Sequence, residues 1–359
     1  MIAVLAGCGG SDAEPGGSDA EPAASAQGGG FRLAVLSVGS GTDGSFGQAW
    51  VEATERTASA LGDVETQFVG DLYQPDQYLS QGGSFGSAKF DMVMIAHGAM
   101  APVALQLAKR FPDTTFCVAP VPAEPSGDRP PNSCIIDAEQ QIGAFRSGVL
   151  AGIATKSNVV GSVMSSDFPA ITRQVEAFEL GARCVNADVR VLNEQTNSDA
   201  DAALAKTATA AEMRRGADVI MGATGPAMTG IFEAAKSRPG TYAIGQYVDS
   251  ASVAPDVVLA SNIVNFQEVL PAVVEQAVDG GLPDSHFEVY GIDADVPVGR
   301  LAVNEELMKD LSPDATAANE RVQEAIGSGK IKIPPTSKIQ KLGAARTIDV
   351  ASLGCKPGR

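Results

Sequence analysis

Leu33-Ala-Val-Leu-Ser-Val-Gly39-Ser-Gly41-Thr-Asp43-Gly44-Ser45-Phe46-Gly-Gln48-Ala-Trp50 is the stretch that decides the fold. The apolar run over 33–38 suits a strand covered on both faces, and the three glycines let the chain turn sharply after it. Ser45 followed by Gln48 is a capping-box pattern, opening an amphipathic helix through Ala49, Ala53 and Leu61. The segment therefore reads as strand, tight turn, helix. In a doubly wound sheet such a turn lies at the carboxyl end of the strands, where ligands bind. It carries an acid (Asp43), a hydroxyl (Ser45) and a ring (Phe46), with Trp50 one turn further on. Phe46 and Trp50 read equally well as core, and Asp43 equally well as a helix cap.

Gly39, Gly41 and Gly44 also spell G-x-G-x-x-G, and Asp71 follows the next strand, roughly where a ribose-binding acid would sit. Asp43 argues against that dinucleotide reading, because its negative charge falls where the pyrophosphate would lie. An acid in this turn suits the hydroxyls or amines of a neutral or cationic ligand.

Outward from this stretch the pattern alternates without interruption. Strands are expected over 64–69, 90–96, 115–118, 159–164, 189–192, 217–221, 242–244 and 257–260. Helices are expected from 75, and over 101–110, 138–155, 170–184, 199–215, 226–237 and 266–278. Residues 120–132 read as a proline- and glycine-rich loop. Helices alternating with short apolar strands predict α/β architecture with parallel sheets. Residues 90–98 and 217–225 echo one another as Asp, apolar strand and glycine turn, which suggests two similar lobes facing across a cleft.

Catalytic signals are poor. The two histidines, His97 and His286, are far apart, the cysteines are scattered, and H-E-x-x-H is absent, so no metal set forms. Residues 82–86 match G-x-S-x-G, but that motif needs a strand before it and a helix after it. Here the order is reversed, and the glycines read as the end of the helix begun at 75. No enzyme activity, metal or cofactor is expected; a dehydrogenase and a hydrolase are the remote alternatives. What recurs is a set of polar and aromatic residues after successive strands: Asp43, Ser45, Phe46, His97, Phe168, Asn197, Asp199, Thr224, Gln246, Tyr247 and Asp249. Together they predict a cleft with aromatic walls and a few hydrogen-bonding groups, the composition of a small-molecule site.

The chain of 359 residues is long enough for two domains, and 44% hydrophobic with 5% aromatic content describes an Ala/Val/Gly-rich α/β protein. A formal charge of −17 opposes binding to nucleic acid or anionic membrane surfaces. At the start, Leu5-Ala6-Gly7-Cys8 resembles a bacterial lipobox ending on a lipidated cysteine, although no basic segment precedes it. Residues 9–30 are Gly, Ser, Ala, Glu, Asp and Pro, and read as a disordered tether. No other stretch approaches the ~18 apolar residues of a membrane span. The expectation is an exported protein anchored to the membrane by lipid alone. Cys117, Cys134, Cys184 and Cys355 then remain, an even number that permits disulfides, with Cys117 and Cys134 closest in sequence; free buried cysteines fit as well.

The ordered series Thr42-Asp43-Gly44-Ser45-Phe46-Gly47-Gln48, Phe145-Arg146-Ser147-Gly148-Val149-Leu150-Ala151-Gly152, Ala177-Phe178-Glu179-Leu180-Gly181-Ala182-Arg183, Gly216-Ala217-Asp218-Val219-Ile220 and Ala243-Ile244-Gly245 resembles the basic membrane protein family of lipoproteins. These are substrate-binding components of ABC importers with a type I periplasmic-binding-protein fold. The resemblance covers roughly residues 32–300. It implies two Rossmann-like lobes with parallel sheets and a ligand cleft between them. It also implies purine nucleosides as ligands, with the base stacked between two aromatics and the ribose held by Asp and Lys. Residues 163–169 and 254–256 resemble a branch that binds free purine. Phe46 takes the first stacking position and Asp199 matches the family's Asp. Where the second aromatic belongs, Asn197 and Ser198 stand. Tyr247 aligns with the ribose acid, Asp249 with the second acid of that segment, and the family's lysine falls near Val264.

The expected organisation is a signal remnant over 1–8, a tether over 9–30, an N-terminal lobe of 31–137 plus about 249–282, a C-terminal lobe of 138–248 plus about 283–335, and a tail over 336–359. The expected function is a monomeric, lipid-anchored substrate-binding protein on the extracytoplasmic face, closing on a small polar ligand and docking on an ABC permease. A ligand sensor presenting its closed form to a membrane receptor is the alternative.

Overall fold

The computed structural model describes residues 30–291, 299–311 and 315–356; the signal remnant over 1–8 with its lipobox Cys8, and all of the expected tether over 9–30 but Gly30, lie outside them. In the opening strand β1 (Phe31–Ser37), Leu33, Ala34, Val35 and Leu36 are all fully buried, so helices cover both faces. The chain continues through α1 (Phe46–Leu61), β2 (Val64–Val69), α2 (Pro75–Ser87), β3 (Met92–Ala96), α3 (Ala101–Arg110), β4 (Thr115–Ala119) and β5 (Ser133–Ala138). These strands pair in parallel in the order β2-β1-β3-β4-β5.

The chain then crosses into a second series: α4 (Gln141–Ala154), β6 (Val159–Met164), α5 (Pro169–Val185), β7 (Arg190–Gln195), α6 (Ala202–Arg214), β8 (Val219–Ala223), α7 (Met228–Lys236), β9 (Tyr242–Gln246) and β10 (Val258–Val264). Its sheet repeats the same parallel order, β7-β6-β8-β9-β10. The echo in the sequence is thus an echo in topology. The chain returns to the first lobe for α8 (Phe266–Asp279), whose Phe266 stacks on Trp50 of α1 at 4.4 Å, and for β11 (His286–Tyr290), which extends the first sheet beside β5. It ends in the second lobe with β12 (Gly299–Val303), antiparallel to β10, and with α9 (Glu305–Leu311), α10 (Ala315–Gly327) and α11 (Thr336–Ile339).

Several expectations shift. β10 belongs to the second sheet and β11 to the first, so the crossings fall after Val264 and Tyr290 rather than near 249 and 283. Apolar runs identify strands, but not which sheet a strand joins. The helix expected over 138–155 starts at Gln141, leaving Glu139 and Gln140 as the first crossing. α2 does not stop at its glycines. A Cβ on Gly86 would lie 2.6 Å from the Phe111 ring that follows α3, so glycine lets the two helices approach closely. Cys117 pairs with Cys134 across β4 and β5, and Cys184 of α5 pairs with Cys355. The expected tail folds onto α5, where Glu176 accepts the backbone N–H groups of Gly343 (2.7 Å) and Ala345 (2.6 Å).

Candidate functional site

In both sheets the strand order reverses beside the first strand, and it is at the carboxyl ends flanking such a reversal that doubly wound sheets bind ligands. The carboxyl ends of β1 and β3 in the first lobe meet those of β6 and β8 in the second. Between them lies a cavity of about 60 Å³. The first lobe contributes Val38, Phe46, His97 and Pro120; the second contributes Ser166, Phe168, Ile171, Asp199 and Tyr247, which follows β9; Gln140 stands at the first crossing. The lobes touch closely around it. A Cβ on Gly98 would come 2.9 Å from the Phe168 ring, and one on Gly39, at φ 81°, would meet the Pro226 side chain at 2.6 Å. At that volume the cavity holds only a handful of waters.

Phe46 answers both readings that its position allowed. It is buried, with its ring edge-on to Tyr247 at 5.0 Å and to Phe266 at 5.6 Å, and it also walls the cavity. Each such aromatic pair contributes about 0.5–1.5 kcal/mol beyond burial, which fixes the ring's orientation. Phe168 faces the cavity from the opposite lobe and is only half-buried. The cleft thus has aromatic rings from both lobes, although Asn197 is exposed and lies outside the cavity lining, its Oδ1 accepting from Gln195 Nε2 at 2.6 Å.

His97 has a defined tautomer. Tyr78 donates its hydroxyl hydrogen to the Leu72 carbonyl at 2.8 Å, so the 3.1 Å contact to His97 must be donated by Nδ1–H. Nε2 is then a lone-pair acceptor. Burial holds the imidazole's pKa below 6.5, with the Asp199 charge as the opposing influence. Among the described residues Asp199 is the single ionisable acid of the lining, and no Lys or Arg belongs to it.

At the crossing, three buried amides form a ladder. Gln246 Nε2 donates to Gln174 Oε1 at 2.7 Å, and Gln174 Nε2 donates to Gln140 Oε1 at 2.8 Å and to the Ala170 carbonyl at 2.9 Å. The Ala170 carbonyl fixes which end of Gln174 is nitrogen, and so the direction of the whole ladder. Gln140 Nε2 is left as a donor without a protein partner. Sequence reading missed Gln140 because it falls inside an expected helix; the end of the apolar run at Ala138 was the available signal.

Other expected residues stand elsewhere. Asp43 is a helix cap, its carboxylate accepting N–H groups from Ser45 (2.8 Å), Gly47 (2.9 Å) and Gln48 (3.0 Å). Burial outweighs these bonds and raises its pKa. Those amides are the ones a pyrophosphate would need, which closes the dinucleotide reading. The expected Ser45–Gln48 capping box does not form: Ser45 makes no side-chain cap bond, and its hydroxyl is buried without a partner. Thr224 is likewise buried, outside the cavity lining, with an unpartnered hydroxyl. Gln246 acts through the ladder. Asp249 is exposed in a separate groove of about 300 Å³ on the far side of Tyr247, alongside Arg300.

The family profile described as "ABC transporter substrate-binding protein PnrA-like" matches residues 31–342. The ABC transporter nucleoside-binding protein BmpA of Lactococcus lactis is 27% identical over 208 residues, covering 53% of this chain and 57% of that one. A purine-binding protein of Brucella abortus is 29% identical over 225 residues, covering 62% of each. The match spans about three-fifths of the length of these relatives. A solved ABC transporter solute-binding protein from Aeropyrum pernix superposes with a TM-score of 0.73 at 18% identity, over 85% of this chain and 93% of that one, and so shares the fold. The chain belongs to the PnrA-like family of ABC transporter substrate-binding proteins, a family of binding proteins rather than enzymes.

Proposed function

From that membership we propose that the chain captures a small, uncharged, polar ligand in the interlobe cleft, a purine base or nucleoside in particular, for import by an ABC permease. The observation that carries this reading is the pair Phe46 and Phe168, one ring from each lobe, lining the same cavity. An aromatic heterocycle between them would have both faces covered by rings. Around that plane the protein offers acceptors at His97 Nε2 and Asp199 and a donor at Gln140 Nε2. Purine edges carry both complements. Asp199, with no cation beside it in the lining, disfavours phosphorylated ligands.

The cavity's small volume supports capture by hinge motion. Three crossings join the lobes, after β5, β10 and β11, and the lobes separate about them to admit ligand and close over it. Cys8 would carry the lipid that holds the protein at the extracytoplasmic face, with residues 9–30 as the tether to the permease. Among the described residues no helix is long and apolar enough to cross a membrane.

A thermal-shift screen of the protein against nucleobases, nucleosides, sugars and amino acids tests the reading. A ligand present well above its Kd raises the melting temperature. Stabilisation by a purine base or nucleoside is expected. Stabilisation by sugars or amino acids alone would remove the purine assignment.

A further inference from the structure

Gln140 also walls a second cavity, of about 200 Å³, between the first crossing and the ends of β10 and β11. It is bordered by Glu139, Gln140, Ile142 and Gly143, by residues 262–264 and by Gly291 and Gly299, with Arg146 of α4 and Gln323 of α10 in its wall. Arg146 is 7% exposed, and its Nη2 donates to the neutral Gln323 Oε1 at 2.6 Å. Its Nε is buried without a partner, and no ion pair among the described residues includes it. Burial pulls the guanidinium's pKa down, as it does where no carboxylate compensates. Asn262, 2% exposed, also leaves its Nδ2 buried without a partner. Glu139, the acid on the rim, accepts from the Gln141 amide at 2.9 Å.

A guanidinium stays charged in a protein, and a buried charge is strongly unfavourable unless something neutralises it. Here the charge borders a space large enough for its missing complement, beside a second unsatisfied donor. We propose that this hinge cavity is a second binding site, taking a small oxyanion of the phosphate, sulfate or carboxylate class, with Arg146 as its charge partner and Asn262 as a neutral donor. The ion neutralises the guanidinium and supplies acceptors to both side chains. Because Glu139 and Gln140 of the first crossing, Val264 at the end of β10 and Gly291 after β11 all border the cavity, the bound ion bridges the places where the chain leaves each lobe. The site shares only Gln140 with the cleft, and its charge partner Arg146 does not depend on which ligand the cleft takes.

The test compares the full chain with its Arg146→Gln and Phe168→Ala variants in chloride, phosphate and sulfate buffers of equal ionic strength. Wild type and Phe168→Ala are expected to melt roughly 2–4 °C higher in phosphate or sulfate, with Arg146→Gln unmoved. Calorimetric titration of Phe168→Ala with inorganic phosphate should show one saturable ion per chain. No oxyanion-specific shift in wild type, or an equal shift in Arg146→Gln, overturns the proposal and leaves the cavity to water. If Arg146→Gln does not fold, the phosphate titration of Phe168→Ala decides alone: one site upholds the proposal and none overturns it.

Discussion

Arg173 of α5 grips Asp137 of β5 through two parallel hydrogen bonds of 2.7 Å each, with both side chains almost wholly buried. The helix belongs to the second lobe and the strand to the first sheet, so the pair pins the lobes together at the first crossing. Arg173 also reaches the Ala138 carbonyl at 2.7 Å and Thr336 Oγ1 at 3.0 Å, which ties α11 to the same point.

Removing one partner of this pair leaves a buried charge unmatched. Asp137→Asn is expected to cost about 3–5 kcal/mol in urea unfolding. The double variant Asp137→Leu with Arg173→Met should recover much of that loss, since both charges leave together. A single variant as stable as wild type would show that the pair contributes little.

Phe168 is half-buried, so trimming it costs the fold little and the ligand much. Phe168→Ala is expected to weaken binding of a purine ligand by about 1–3 kcal/mol, the range for aromatic stacking on a base, or roughly 5- to 150-fold in Kd. Its melting temperature without ligand should stay near that of wild type. Unchanged affinity would return Phe168 to a packing role.

The lowered pKa of His97 fixes the sign of a pH effect. A base whose folded-state pKa lies below 6.5 contributes stability that is present above pH 6.5 and lost as pH falls through the folded value. Ligand affinity should fall over the same window, because protonation turns the Nε2 acceptor into a donor. Affinity measured between pH 7.5 and 5 should decline for wild type and decline less for His97→Asn. Identical profiles would remove His97 from recognition.

Glu212 of α6 is buried beneath β6, and burial raises its pKa well above 4.5 against the weak pull of the Ser162 N–H at 3.3 Å. Its Oε2 has no partner. Here the folded state holds the proton more tightly, so stability is full below pH 4.5 and is lost as pH rises through the folded value. Glu212→Gln should therefore stabilise the protein at pH 8 by roughly 1–3 kcal/mol and make little difference at pH 4. Equal stability of the two at pH 8 would contradict this account.

The regular part of the fold was legible because its cause is local. Apolar runs at strand length and glycine turns recur in order, and they give the central strands of both sheets; β5, β11 and β12 were not among the expected strands. The carboxyl ends of those strands also pointed to Phe46, His97, Phe168 and Tyr247, all of which line the cleft. What sequence could not separate was two uses of one residue type at one position. Asp43 stands where either a ligand or three backbone amides could take its carboxylate, and the amides hold it. The exchange of strands between lobes was hidden for two reasons: β10 is buried and would carry the same apolar pattern in either sheet, whereas β11 is a half-exposed edge strand without an apolar run and was not among the expected strands. Gln140 and Arg146 matter through partners such as Gln174 and Gln323, the latter 177 residues away, and no local pattern reports that.

The central claim is that rings from both lobes close on one purine. Calorimetric titration of the protein with adenine, hypoxanthine, adenosine, inosine and guanosine, repeated on Phe168→Ala, tests it most directly. The account predicts one-to-one binding of at least one of these, weakened at least fivefold in the variant. Binding by none of them, while a sugar or an amino acid binds wild type with an affinity that Phe168→Ala leaves unchanged, would contradict it.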